Sequence, residues 1–196
     1  VKAVETLQQQ AFNNNREIGE LKVANEMLQR QVRRMEKQIE LRMSLPALTT
    51  PDKGPEVNVG DQTKIEAYCT ITHWVSIGAH NHIHNGVVIG APPQDYKYKG
   101  EKGEIIIGDK NVIREFVTIH LPSSGGVTRI GNENMIMVHA HIPHNATIGN
   151  QVVIGGYVGL AGYTQIDDQV IIGGLAGIHQ FVRVGRLTMV GAQSKV

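Results

Sequence analysis

Residues 130–196 read IGNENMIMVHAHIPHNATIGNQVVIGGYVGLAGYTQIDDQVIIGGLAGIHQFVRVGRLTMVGAQSKV. An aliphatic residue stands at every sixth position: Ile130, Ile136, Ile142, Ile148, Ile154, Leu160, Ile166, Ile172, Ile178, Val184, Val190 and Val196. The same ladder runs upstream as Val59, Ile65, Ile71, Ile77, Ile83 and Ile89, and again as Ile107, Ile113 and Ile119. Neither a helical period of 3.6 nor a strand period of 2 selects large aliphatics at six. A parallel β-helix does: three hexads make one triangular turn, each flat side is a short strand, and each ladder residue points into a shared interior. Glycines that follow many ladder positions, such as Gly131, Gly149, Gly173 and Gly191, are expected to let the chain turn the corners.

The totals narrow the function class. A formal charge of +1 gives no motive for nucleic acid as a partner. Cys69 is the only cysteine, which excludes a disulfide framework and a four-cysteine metal site and fits a reducing compartment. No apolar run approaches the roughly 20 residues that cross a bilayer. No signal-like segment stands at the start, so the expectation is a cytoplasmic protein without a transmembrane segment.

Residues 1–43 have a different character, with one glycine, no proline, and many Gln, Glu, Lys, Arg and Leu. A heptad seam can be written as Val4, Leu7, Ala11, Asn14, Ile18, Leu21, Asn25, Leu28, Val32, Met35 and Ile39, alternating steps of three and four. The spacing predicts an α-helical coiled coil, with Asn14 and Asn25 on the seam fixing register. Residues 44–56 (SLPALTTPDKGPE) hold three prolines and a glycine and form a linker. The β-helix is expected over 57–196. The ladder is interrupted at 91–104 (APPQDYKYKGEKGE) and at 120–127 (HLPSSGGV), which are read as loops extruded from the prism. A triangular prism and a coiled coil on one chain are both satisfied by a three-fold axis, so a homotrimer is expected.

Histidines carry the chemistry. His120, His139, His141, His144 and His179 lie where the loops meet the long ladder. Adjacent coils are about 4.8 Å apart, so histidines in neighbouring hexads are spatial neighbours. Imidazole there serves as general base or metal ligand, and spacing alone does not choose.

The stretches IGAPPQDYKYKGE, IGDKNVIREFVTIH, HAHIPHNATIGN, GLAGY and GIHQFVRVG resemble the UDP-N-acetylglucosamine O-acyltransferases of lipid A biosynthesis, over residues 71 to 196. The resemblance implies a left-handed coil and transfer of an acyl chain, such as a 3-hydroxyacyl chain, from acyl carrier protein to the 3-hydroxyl of UDP-N-acetylglucosamine. It implies His144 as general base and the Gly162 N–H as oxyanion donor, with Asn145 beside the base. It implies substrate contacts from Asp95, Lys97, His120, His141, His179 and Gln180, and places Ala192 near the position that limits chain length. No metal or dissociable cofactor is implied, because the pantetheine arrives on the carrier protein. Asn145 stands where that family has an acid, Leu121-Pro122 where it has Arg-Gly, and Tyr163 where it has His.

Two other readings compete. His120, His139 and His144 also resemble the three-histidine metal set of the γ-class carbonic anhydrases, although Arg114 stands where that family carries Gln. A non-enzymatic trimer built from a coiled coil and a β-helix is the third reading; it leaves the clustered histidines and the QDYKYKGE loop without a purpose.

Overall fold

The computed structural model describes residues 21–22, 25–33 and 57–196. Residues 21–22 and 25–33 are helical, and the seam positions Leu21, Asn25, Leu28 and Val32 are all exposed. The remaining seam positions and the linker 44–56 lie outside the described residues. Residues 1–52 and 53–196 form separate units.

From Val57 onward the chain is a left-handed parallel β-helix with three faces. The first face has seven parallel strands, from Val57–Val59 to Arg183–Val184; the second has seven, from Lys64–Ile65 to Met189–Val190; the third has six, from Thr70–Ile71 to Gly177–Ile178. Register follows the ladder: Ile130 pairs with Ile148 and Ile148 with Ile166 on the first face, while Ile136 pairs with Ile154 and Ile154 with Ile172 on the second. Each coil therefore consumes three hexads, and successive ladder residues stack.

Every ladder position from Ile77 to Val190 is buried, as are the small or β-branched residues that precede many strands, such as Val117, Ala140, Val152 and Val170. Fully burying one such aliphatic side chain is worth about 1.5–3 kcal/mol, so the shared interior dominates the stability of the prism. Val59 and Ile65 in the first coil remain substantially exposed, because among the described residues no further coil packs beneath them.

Polar ladders run beside the apolar one. Asn111 donates through its backbone N–H and its side-chain amide to Asn81 Oδ1, and Asn134 does the same to Asn111 Oδ1. Asn134 Oδ1 in turn accepts from the Val152 N–H at 2.7 Å. These three asparagines are fully buried, so each bond spares a desolvated group from going unpaired. A second, more exposed ladder links Asn132, Asn150 and Asp168.

The corners differ from the sequence expectation. Seventeen non-glycine residues among the described ones take positive φ there, including His139, Asn145, Tyr157, Tyr163 and Phe181, all near +60°. The glycines solve another problem, which is close approach. A Cβ on Gly131 would fall 2.5 Å from the carbonyl oxygen of Gly149 in the next coil. The left-handed corner residues project outward and stack coil on coil, as Phe116, His139 and Tyr157 do with ring centroids 5.1 and 4.8 Å apart.

Both interruptions are loops, bounded by strands Val88–Ala91 and Glu104–Ile107, and by Thr118–His120 and Val127–Ile130. They meet: the Leu121 N–H donates to the Ala91 carbonyl, and the Glu104 N–H to that of Gly126.

Candidate active site

His144 and Asn145 form the corner between strands His141–Ile142 and Thr147–Ile148. One coil on, at the same corner, stand Gly162 and Tyr163, and the Tyr163 N–H donates to the His144 carbonyl at 3.2 Å. The imidazole of His144 lies flush against the Gly162 backbone, where an added Cβ would come within 2.3 Å of Cε1 and 2.6 Å of Nε2. Tyr163 closes one side, its ring edge-on to His144 at 5.4 Å. No hydrogen bond to the Gly162 N–H occurs among the described residues.

Asn145 fixes the tautomer of His144. Its Oδ1 accepts from the Ser123 N–H at 3.0 Å, and its Nδ2 donates to the Gly125 carbonyl at 3.1 Å. Only one orientation of the amide satisfies both, and it presents Oδ1 to His144 Nδ1 at 3.1 Å. In the neutral ring the proton therefore resides on Nδ1, which leaves the lone pair on Nε2. Thr128 Oγ1 anchors the Asn145 N–H at 2.9 Å, and Ser124 Oγ meets the Tyr163 hydroxyl at 2.9 Å. Ser123, Ser124, Gly125 and Thr128 were not legible as site residues; the only sequence signal was the broken ladder at 120–127.

His120 and His141 stand on the third face beside this corner, their rings edge to face at 4.8 Å. His120 is 5% exposed. Its Nδ1 donates to the Pro92 carbonyl at 2.8 Å, which leaves Nε2 buried without a partner. His141 Nδ1 lies 2.9 Å from Thr118 Oγ1. Burial holds both rings below the usual histidine range. For His120 the Pro92 carbonyl opposes that shift and His144 adds to it. For His141, at about 4, the neighbouring His120 and His144 add to burial. Both are therefore neutral at physiological pH.

The loop after Ala91 brings Asp95 to the same side. Its carboxylate is held below the usual range mainly by the Lys97 N–H at 3.0 Å, with Ser123 and His144 acting in the same direction against desolvation. Lys97 is exposed, its ammonium 6.0 Å from the centre of the Tyr96 ring. His179 is exposed and lines, with Gly159, Leu160, Gly177, Ile178 and Val196, an apolar trough of about 610 Å³ along the third face. Gln180 is an exposed corner residue one coil beyond Gly162. Ala192 is not part of the trough in this protomer; it stacks over Gly173 at a different corner.

The chain brings together His144, Asn145, Gly162, His120, His141 and Asp95. It does not gather the three-histidine set, because the His139 ring is sandwiched between Phe116 and Tyr157 in the corner column.

The bacterial transferase hexapeptide (six repeats) model matches residues 56–91 and 128–162. An acyl-[acyl-carrier-protein]--UDP-N-acetylglucosamine O-acyltransferase from Syntrophobacter fumaroxidans is 44% identical over 103 residues, which is 52% of this chain and 40% of that protein. One of the same description from Synechocystis is 45% identical over 121 residues, 61% of this chain and 44% of its own length. The crystal structure of the UDP-N-acetylglucosamine acyltransferase of Francisella novicida superposes with a TM-score of 0.70 at 40% identity, covering 71% of this chain and 52% of that one. That of Bacteroides fragilis gives 0.67 at 36% identity, covering 73% and 61%. The chain thus spans less than half the length of these curated relatives. The six-residue ladder, the matched repeats and these relatives together make the β-helix of this chain similar to the hexapeptide-repeat transferases and, among them, to the UDP-N-acetylglucosamine O-acyltransferases.

Proposed function

We propose that this chain is an acyltransferase moving an acyl group from acyl carrier protein to the 3-hydroxyl of UDP-N-acetylglucosamine, the first step of lipid A biosynthesis. The observation that carries the reading is the packing of the His144 imidazole against Gly162, with its Nδ1 proton directed to Asn145. That arrangement places a free Nε2 lone pair beside an unused backbone donor, as base-assisted acyl transfer needs.

In this reading His144 Nε2 takes the proton of the sugar hydroxyl as its oxygen attacks the thioester carbonyl. The tetrahedral oxyanion accepts the Gly162 N–H, a preorganised donor of a kind worth about 3–4 kcal/mol. Collapse breaks the C–S bond, and the imidazolium returns its proton to the departing pantetheine thiolate. Asn145 holds the tautomer but adds no negative charge to stabilise the imidazolium. His120, buried, and His141, half-buried, are neutral and offer hydrogen bonds to the sugar; the unpaired Nε2 of His120 suits a hydroxyl donor. Asp95 and Lys97 hold substrate from the loop, Gln180 contacts it near the corner, and the trough beside His179 receives apolar chain.

The enzyme works as a homotrimer, in which a neighbouring prism supplies walls for exposed His179 and Gln180 and for the open trough. The test is an acyl-transfer assay with UDP-N-acetylglucosamine and a panel of acyl carrier protein thioesters, run beside His144→Ala and with sedimentation to establish mass. Transfer abolished by His144→Ala supports the reading. A folded trimer without transfer would favour the non-enzymatic assembly, and a monomer would overturn the trimer.

A further inference from the structure

The second face carries a cluster that acyl transfer does not use. In the stretch Asn81-His82-Ile83-His84, the ladder residue Ile83 points into the core, so the histidines on either side both project outward. Their rings stack at 4.0 Å with planes 27° apart. One coil earlier Glu66 occupies the corner position equivalent to His84, and its Oε1 lies 2.8 Å from His82 Nε2. One donor atom from each of Glu66, His82 and His84 falls within 4.8 Å of the others. Glu115, one coil later, brings Oε1 to 3.5 Å from His84 Nδ1.

We propose that Glu66, His82 and His84 form a binding site for a divalent transition metal ion of the zinc class, on the outer face of the first coils and apart from the His144 corner. Two imidazoles and a carboxylate are the donor set that zinc, cobalt and nickel share, and hard ions such as magnesium and calcium disfavour it. An imidazole pair at i and i+2 on a strand offers two converging lone pairs from a rigid backbone. Metal–ligand distances of about 2.0–2.2 Å set donors about 3.4 Å apart in a tetrahedral site, so closure needs only side-chain rotation. The fourth position falls to water or to Glu115.

Two cations border the cluster. Lys64 Nζ lies 3.0 Å from Glu66 Oε1, and Arg114 Nε lies 3.0 Å from Glu115 Oε2. The lysine competes with a metal for Glu66 and must swing away on binding, whereas the arginine keeps Glu115 in place beside His84. Removing the lysine charge therefore strengthens metal binding, which an ordinary ion-pair network does not predict.

The experiment titrates the untagged full chain with cobalt(II), read by its visible absorption, and with zinc, read by calorimetry. The expected result is one ion per chain, weakened at least tenfold in Glu66→Gln, His82→Ala and His84→Ala and tightened in Lys64→Ala. His73→Ala and His80→Ala, changes at histidines outside the cluster, should bind as the parent does. Equal binding by the parent and the three ligand variants, or no saturation below about millimolar metal, overturns the site. Should a histidine variant fail to fold, Glu66→Gln and Lys64→Ala decide, since both sit on the exposed side of the first coil.

Discussion

Gly162 and His144 are in contact in the sense that matters for substitution: a single methyl group at Gly162 would fall 2.3 Å from His144 Cε1. The glycine stands there because the imidazole of the preceding coil fills the space a side chain would take. Gly162→Ala must push the ring outward and carry Nε2 away from the backbone donor. Misplacement of a reacting group by about 1 Å can cost about 10² in rate. The expected outcome is a fall of that size in kcat with the oligomeric state of the parent unchanged, checked by steady-state kinetics beside sedimentation.

His144→Ala removes the proposed base. General base catalysis contributes about 10²–10⁴ in rate, so kcat should fall by that factor while KM for the nucleotide sugar changes little. A variant retaining parental kcat would show that another group takes the proton.

Asn145 is matched to its loop as well as to His144. Asn145→Asp keeps an acceptor for His144 Nδ1 and the Ser123 N–H but sets a carboxylate oxygen against the Gly125 carbonyl, 3.1 Å away in the parent. This half-buried hydrogen bond is worth about 0.5–1.5 kcal/mol, so the variant should unfold at lower denaturant even where the new charge raises the rate. Denaturant midpoints and kcat measured on one preparation separate the two effects.

The buried asparagine ladder is open to a similar test. Asn111→Ala leaves the Asn134 N–H without its acceptor and Asn81 Oδ1 without the Asn111 side-chain amide. The expected loss is about 1–3 kcal/mol per orphaned group. Ile142→Ala, in the fully buried ladder, should cost about 2–5 kcal/mol, and Val59→Ala, in the exposed first coil, far less.

Acid should loosen the site before it unfolds the prism. Burial lowers the folded His141 from 6.5 to about 4 and moves His120 in the same direction. The unfolded chain therefore binds protons from about pH 6.5 that the folded chain refuses until about pH 4, and stability falls as pH drops through that window. Denaturant melts between pH 4 and pH 7 should show this slope, and it should flatten in His141→Gln.

The ladder from Ile130 to Val196 determined the β-helix on sequence alone, because a six-residue aliphatic period has one architecture that can bury it. The broken ladder pointed to loops at 91–104 and 120–127, and the stretches around His120, His144 and Gly162 nominated the candidate site. Two sequence readings needed correction. Corner glycines such as Gly131 serve close packing between coils more than left-handed φ, and His139 belongs to an aromatic column instead of a metal set. Packing decided these points, since contacts between coils join residues 15 or more apart, and loop contacts follow no period. For the same reason the Ser123, Gly125 and Thr128 cradle around Asn145, the unpaired Nε2 of His120 and the meeting of Glu66 with His82 and His84 could be read only from the tertiary structure.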